Sequence, residues 1–292
     1  MTPFVKTQQQ GVAVRNQSIA IMLLGLAWAW SPVADAADAV PSLRGGATLM
    51  PVKVYTLEDD RKVLQAFEGL RVADVSDGMD FVGLQDIGLV NPEIHPLWKD
   101  TTNYTHRIIG IAVTVRYVPT QQPPAGRRSE AEFDKWVGDF YNQRSPEPFV
   151  PLLRAGSVVV IEEAPETDVG SIGSNNIMNW KLHGAVGVIT SNTCRDTDEI
   201  ITQKVPLYLK HVGRGIRPGR NEVESVNRPI VLGGVLVMPG DVVVADGDGV
   251  IVVPRKVALE VARYAHKVID GDKNARRDLY KKLGLPEDKS TR

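Results

Sequence analysis

The sequence predicts a layered α/β domain. From residue 157 onward, apolar runs rich in β-branched residues alternate with segments of helical periodicity, and a strand-rich stretch follows at 229–254. Strands that alternate with helices and then give way to a run of strands indicate layers of sheet and helix around a hydrophobic core. The 292 residues, 43% of them hydrophobic, are enough for one large domain or two small ones.

Two helices and a buried strand are expected first. Thr56 can cap the segment TLEDDRKVLQAFEGL, with Asp59 three residues further on. The apolar stripe of this helix consists of Val63, Leu64, Phe67 and Leu70. A second helix is expected to begin at Ser76 or Asp77, and the β-branched run at 107–118 is typical of a buried strand.

The remaining elements continue the alternation. A proline-rich stretch at 119–130 predicts a surface loop, because no change of composition follows it. After it we expect a short helix in EFDKWVGDFY, a strand at 157–164, a helix ended by Gly184, strands at 185–191 and 205–211, several strands within 229–254, and a last helix at 255–270.

The N-terminus predicts a secretory signal peptide over residues 1–36. Lys6 and Arg15 precede an apolar run at 18–30, and small residues follow at 34–36. A membrane anchor is the alternative, but the run is shorter than the roughly 20 apolar residues that a bilayer requires. We therefore expect a mature single domain over 37–292, in the periplasm or outside the cell and free of the membrane.

Composition excludes several classes of function. The formal net charge of −1 gives no reason to expect nucleic acid as a partner, since phosphate binding needs a basic face. A single cysteine excludes an intrachain disulfide framework and a cysteine-rich zinc site.

The dipeptide Arg195-Asp196 is the first candidate site. It follows the strand predicted at 185–191, and α/β folds place ligands at the carboxyl ends of strands. An aspartate is an oxygen ligand suited to Mg²⁺, and an arginine can hold a carboxylate with two hydrogen bonds. From this dipeptide alone, a surface ion pair is the simpler interpretation.

The second candidate is the run Gly173, Ser174, Asn175 and Asn176, ahead of the helix that ends near Gly184. Small residues at a helix N-terminus leave backbone N–H groups free to bind an anion. An ordinary capped helix start is the commoner interpretation.

Two further features of the sequence favour a structural role over a catalytic one. The sequence DGDG at 246–249 lies between apolar runs, which is the signature of a hairpin turn. Cys194 has no histidine in a pattern that indicates a catalytic pair, which favours an inert thiol.

Taken in order, these segments resemble a known family. RVADVSDGMDFVG, GIAVTVRYV, GSVVVIEEA, GSNN with HGAVGVITSNTCRDTDEI, and GGVLVMPGDVVVADGDGVIVVP follow one another over about residues 57–280. This order is similar to the RraA-like family, which includes 4-hydroxy-4-methyl-2-oxoglutarate aldolases and the regulator of ribonuclease activity A. The most specific elements are Gly-x-x-Gly, Arg-Asp after the next strand, and the final PGD…DGV…VP block.

The resemblance implies a fold, an assembly and a site. The fold is a three-layer β/β/α sandwich, assembled as a ring-shaped homotrimer or as a homohexamer made of two trimers. A divalent metal, Mg²⁺ or Mn²⁺, would be held by Asp196, and a 2-oxo acid by Arg195 and by the backbone amides of Gly173, Ser174, Asn175 and Asn176. The implied activity is metal-dependent lyase chemistry: aldol cleavage, or decarboxylation of oxaloacetate.

Two departures from the family pattern concern proton transfer. Family aldolases have an acid at the position of Ser174, and serine cannot act as that base. They also bring a glutamate from the C-terminal helix of a neighbouring subunit, for which Asp270 and Asp272 are the nearest counterparts. Glu199 is a further acid that would lie beside the metal or at a helix start. The alternatives are therefore a non-catalytic protein that binds an oxo acid or a protein partner, and a related lyase or hydratase with another substrate.

Overall fold

A mixed sheet of eight strands organises residues 50–292. The computed structural model describes residues 45–164 and 168–292. The predicted signal peptide at 1–36 and the predicted start of the mature chain lie outside the described residues. Among the helices that are described, none combines the length and the apolar character needed to cross a membrane.

The elements are assigned as follows. The helices are α1 Leu57–Phe67, α2 Val72–Phe81, α3 Glu130–Gln143, α4 Ser174–Leu182, α5 Thr197–Thr202 and α6 Ala258–Leu283. The strands are β1 His95–Pro96, β2 Ile108–Pro119, β3 Ser157–Glu162, β4 Ala185–Thr190, β5 Thr193–Cys194, β6 Leu207–Leu209, β7 His211–Val212, β8 Asn221–Val226, β9 Ile230–Leu232, β10 Val235–Val237, β11 Val242–Asp246 and β12 Gly249–Val253. Short 3₁₀ turns cover Val150–Leu152 and Arg255–Val257.

The main sheet has the order β1-β6-β4-β3-β2-β11-β12. Strands β2, β3, β4 and β6 are parallel neighbours, whereas β11 and β12 are antiparallel. The long strand β2 pairs with β11 over its first half and with β8 over its second half. Parallel strands linked through helices, with an antiparallel edge, confirm the predicted α/β class.

The two faces of the sheet are covered by different structural elements. On one face, Ile111 and Val244 pack against the apolar sides of α1, α2 and α6. Further along the same face, Val159 contacts the cluster that contains Trp180 of α4. On the opposite face, residues such as Val243 pack against the β9–β10 hairpin. Because alternate residues of each strand are buried on opposite sides, the strand sequences are nearly continuous apolar runs.

Two helix boundaries expected from the sequence were wrong. Helix α2 begins at Val72, not at Ser76 or Asp77, because the Arg71 amide donates to the Asp74 carboxylate and so caps the helix a turn earlier. The last helix continues to Leu283.

The strand expected at 205–211 is divided between β6 and β7. The backbone amides of Lys210 and His211 both donate to the Asn192 carbonyl, which ends β6. Strand β7 then pairs with β5 instead of with the main sheet. Strand β8, in the polar segment NEVESV, was not expected, since its side chains are mostly half-buried and lack an apolar run. The DGDG turn is confirmed, with Asp246 opposite Gly249 in the hairpin register.

Candidate functional site

Arg195 and Asp196 lie between β5 and α5, beyond the carboxyl end of β4. Asp196 adopts a left-handed backbone conformation with φ of 58° and ψ of 39°. Aspartate tolerates this region better than most residues. This conformation turns the chain from β5 into α5.

The Asp196 carboxylate lies against the N-terminus of α4. Its Oδ2 atom accepts a hydrogen bond from the Ser174 backbone N–H at 3.1 Å. The positive end of a helix dipole stabilises a carboxylate at this position. A Cβ atom at Gly173 would lie 2.7 Å from the same Oδ2 atom, so only glycine permits this approach without displacement.

The backbone of Arg195 is held against the loop that precedes α4. Its N–H donates to the Ile172 carbonyl at 2.9 Å. A Cβ atom at Gly170 would lie 2.5 Å from the Arg195 Cβ atom, so this glycine makes room for the arginine stem. The guanidinium stays accessible, with 35% of the side chain exposed and Nε 3.8 Å from the Asp196 Oδ1 atom. The two predicted candidates, Arg-Asp and the α4 N-terminus, are therefore adjacent.

Cys194 takes part in this packing. The side chain is buried, and Sγ donates to the Ile172 carbonyl at 3.1 Å. Burial raises the pKa of the thiol well above its usual range. A thiol that stays protonated is a poor nucleophile.

A buried polar network that sequence reasoning missed supports the first turn of α4. Glu147 accepts hydrogen bonds from Asn176 Nδ2 at 2.7 Å, Trp180 Nε1 at 2.8 Å and Arg217 Nη2 at 2.7 Å. Arg217 is almost fully buried and also donates to the Tyr117 hydroxyl at 2.6 Å. Asn176 Oδ1 in turn accepts from the Gly173 N–H at 3.2 Å. The network holds Asn176, so this side chain is structural.

Glu163 is a second buried acid near the site that the sequence did not reveal. Burial raises its pKa to about 8, against the opposing effects of Ser171, Thr193 and Arg217. Its Oε2 atom lies 3.5 Å from the Thr193 amide nitrogen. No pattern in the sequence distinguishes Glu163 from the preceding Glu162, because one-residue alternation alone decides which carboxylate faces inward.

The other predicted residues have different surroundings. Asn175 is exposed in the first turn of α4, and Glu199 is exposed in the first turn of α5. Asp272 of α6 accepts a hydrogen bond from Arg71 Nη2 at 2.8 Å, so within this chain it pairs with Arg71 and not with the Arg195-Asp196 segment. Asp270 also lies on α6.

Asp196 can offer one carboxylate ligand to a divalent cation. Across residues 45–164 and 168–292, no group of three or more His, Cys, Asp or Glu side chains could hold a metal ion together. The chain thus offers the Asp196 carboxylate, with Oδ2 partly engaged by Ser174. A single carboxylate suits Mg²⁺, which commonly keeps waters and takes its other ligands from the substrate.

A model of the RraA-like family, described as Aldolase/RraA, matches residues 72–252. The chain belongs to the RraA-like family. The match includes α2, the α4 N-terminus, Arg195, Asp196 and the β11–β12 hairpin.

Individual RraA-like relatives are distant. Protein DlpA of Legionella pneumophila is 28% identical over 209 residues, which cover 68% of this chain and 28% of DlpA. A protein of Halalkalibacterium halodurans, provisionally named a 4-hydroxy-4-methyl-2-oxoglutarate aldolase, is 28% identical over 113 residues, or 38% of this chain and 53% of that protein. This chain therefore spans about a quarter to a half of the length of these relatives.

A solved structure supports the fold. The crystal structure of Streptomyces coelicolor RraAS2, described as an unusual member of the RNase ES inhibitor RraA protein family, aligns with a TM-score of 0.57 at 20% identity. The alignment covers 77% of this chain and 99% of RraAS2. At this identity, the likeness establishes the RraA-like fold alone.

Proposed function

We propose that this protein is a divalent-metal-dependent lyase that cleaves a carbon–carbon bond next to a 2-oxo acid. The observation that carries the proposal is the contact between the Asp196 carboxylate and the Ser174 amide, with the accessible Arg195 guanidinium beside it. One surface then presents an anionic metal ligand, a cationic group for a carboxylate and the amides of a helix N-terminus. Membership of a family that includes aldolases supports the same assignment.

Each residue has a defined task in this chemistry. Arg195 binds the carboxylate of the 2-oxo acid, and the first-turn amides of Asn175 and Asn176, which lack a carbonyl partner within the helix, donate to its oxygens. A Mg²⁺ or Mn²⁺ ion held by Asp196 would polarise the substrate oxygens. Cleavage leaves the enolate of pyruvate, whose negative charge Arg195 stabilises by its own positive charge.

Ser174 decides which reaction is favoured. Aldol cleavage requires a base to remove the proton of the substrate hydroxyl, and a serine hydroxyl is too weak a base for that task. Decarboxylation of oxaloacetate breaks its bond by releasing CO₂ and needs only a proton for the enolate carbon. We therefore favour oxaloacetate decarboxylation over cleavage of 4-hydroxy-4-methyl-2-oxoglutarate.

Release of pyruvate tests the proposal. The full-length protein, loaded with Mg²⁺ or Mn²⁺, is assayed with oxaloacetate and with 4-hydroxy-4-methyl-2-oxoglutarate. Pyruvate should form above the metal-only rate, and both chelation and Asp196→Asn should abolish the increase. Asp198→Asn is the matched control, because Asp198 is an exposed acid of α5 two residues further on. Turnover of neither substrate by a folded, metal-loaded protein would refute the lyase assignment.

Ser174 also supports a second candidate function, a non-catalytic protein that binds an oxo acid or a protein partner. Its side chain is buried and occupies the position at which family aldolases carry an acid. A binding protein would be stabilised against heat by pyruvate or oxalate with metal, yet would release no pyruvate from either substrate. Stabilisation together with turnover would favour the lyase.

We also propose a three-layer fold, an oligomeric assembly and a location in the periplasm or outside the cell. Cover by helices on one face of the sheet and by the β9–β10 hairpin on the other supports a three-layer β/β/α sandwich. The proposed assembly is a homotrimer or a homohexamer, which light scattering on the purified protein would distinguish. The proposed location is the periplasm or the exterior of the cell, and sequencing of the mature N-terminus should find it near Ala37.

A further inference from the structure

A cavity whose lining does not include the Arg195-Asp196 segment opens between the C-terminal helix and the loop before β2. Its volume is about 690 Å³. The walls come from α6, the residues that follow it, the segment 99–107 and the β11–β12 turn. Cavities of this size accommodate small molecules.

The cavity concentrates positive charge. Seven cationic side chains line it, although the chain as a whole carries a formal net charge of −1. Six of them form no ion pair with a carboxylate in the described part of the chain: Lys99, Arg107, Lys273, Arg276, Lys289 and Arg292. Like charges gathered in one concave surface repel each other and attract an anion.

The acids near the cavity offset only part of this positive charge. Asp74 and Asp272 both bind Arg71, the seventh cation. The buried Asp246 carboxylate accepts the backbone N–H groups of Val72 and Asp248. Asp248 also lines the cavity and is exposed, but two lining carboxylates, Asp246 and Asp248, stand against seven lining cations, so the cavity keeps a net positive charge.

Two donors that line the cavity are held in place. The Arg107 guanidinium stacks over the Tyr104 ring at 4.0 Å, and its Nε atom is buried with no acceptor among the described residues. His106 is buried, and its Nδ1 atom accepts the Asp100 N–H at 3.0 Å. The proton of the neutral ring is thus on Nε2, which makes that atom a donor. Fixed donors lose little entropy when a ligand binds.

We propose that this cavity binds a small oxyanion with two or more carboxylate or phosphate groups. Guanidinium and ammonium groups recognise both kinds of oxyanion through charge-assisted hydrogen bonds. A cavity of about 690 Å³ favours a small molecule over nucleic acid, which requires an extended basic face. The inference does not depend on the proposed lyase activity, because no residue of the Arg195-Asp196 segment lines the cavity.

Calorimetric titration of the full-length protein with citrate and, separately, with inorganic pyrophosphate tests the proposal. At least one should bind with one site per chain, and affinity should fall as the salt concentration rises. Tighter binding of citrate would identify a polycarboxylate ligand, and tighter binding of pyrophosphate a phosphorylated one.

Variants locate the bound anion. Lys273→Gln and Arg107→Gln should each weaken binding by about tenfold or more, as expected for loss of one charge-assisted hydrogen bond. Lys281→Gln is the matched control, since Lys281 is exposed on the same helix and does not line the cavity. Should Arg107→Gln fail to fold, Lys273→Gln decides, because its half-buried side chain forms no ion pair.

The proposal is overturned if neither anion binds, or if Lys273→Gln binds as tightly as the wild type. Binding of an oligonucleotide that depends on Lys273, without binding of citrate or pyrophosphate, would also overturn it. Asp196→Asn should bind the anion normally, so loss of lyase activity and loss of anion binding can be told apart.

Discussion

The Asp196 Oδ2 atom accepts the Ser174 backbone N–H at 3.1 Å, which joins the residue after β5 to the first turn of α4. Asp196 also has a φ of 58°, a conformation that asparagine tolerates and alanine does not. We expect Asp196→Asn to keep the free energy of unfolding within about 1 kcal/mol of wild type, whereas Asp196→Ala loses about 2 kcal/mol. Urea unfolding measures both values. Equal losses in the two variants would contradict the account of the backbone.

Gly173→Ala tests the close approach of α4 to Asp196. The added Cβ atom would lie 2.7 Å from Oδ2 and push the carboxylate away. Overpacking of this kind costs about 1–3 kcal/mol of folding stability. We also expect pyruvate release to fall by about tenfold or more, since about 1.4 kcal/mol of lost transition-state stabilisation suffices for that. Gly126→Ala is the control, because nothing lies within 4 Å of its added methyl group. An unaffected Gly173→Ala variant would show that the contact is not tight.

Substitutions of Glu147 and Arg217 should have non-additive effects on the free energy of unfolding. Glu147→Gln leaves the Arg217 charge buried without its carboxylate, which should cost about 3–5 kcal/mol in the free energy of unfolding. The double variant Glu147→Gln with Arg217→Met removes that charge and should be more stable than Glu147→Gln alone. A double-mutant cycle by urea unfolding gives the coupling energy. Additive effects would mean that the ion pair does not support α4.

Glu163 predicts a pH dependence of stability. Its pKa is raised from 4.5 to about 8 by burial, so between these values the folded state binds more protons than the unfolded state. Stability from this group is therefore complete below pH 4.5 and declines as the pH rises towards 8, by at most about 1.4 kcal/mol per pH unit. Glu163→Gln, neutral at every pH, should remove this slope. Free energies of unfolding at pH 5, 6, 7 and 8 measure it, and identical profiles for the two proteins would contradict the raised pKa.

The Ser174→Glu substitution should change the reaction preference of the protein. Ser174→Glu places a carboxylate beside Asp196, where family aldolases carry an acid. If the lyase proposal holds, the ratio of aldol cleavage to oxaloacetate decarboxylation should rise, because only the cleavage requires a base. Ser174→Ala, which adds no base, should leave the ratio unchanged. Pyruvate assays with both substrates give the ratio, and a fall in Ser174→Glu would contradict the assigned role.

Much of the fold could be predicted from local signals. Thr56 and Asp59 form the capping box that the sequence indicates, and the apolar runs at β2, β3 and β4 are buried strands. Strand β8 could not be predicted, because NEVESV becomes a strand only by pairing with the second half of β2. The start of α2 was missed because Arg71 is an unusual residue at a helix cap.

The site was predictable only in its parts. The order of Gly173, Ser174, Arg195 and Asp196 along the chain suggested two pieces of one site, and the tertiary structure brings them into contact. The buried polar network that supports these residues was not predictable. Glu147 and Arg217 are separated by 70 residues, and neither belongs to a local pattern.

By itself, the sequence determined the α/β class, the likeness to the RraA-like family, the hairpin at 246–249 and the identity of the candidate pair Arg195-Asp196. These follow from periodicity, turn chemistry and residue order, which are local along the chain. Only the tertiary structure decided that the Asp196 carboxylate meets the α4 N-terminus, that Glu163 is buried, and that cations far apart in sequence line one cavity. Burial, pKa and charge density depend on which distant residues the fold brings together, and no local pattern encodes that.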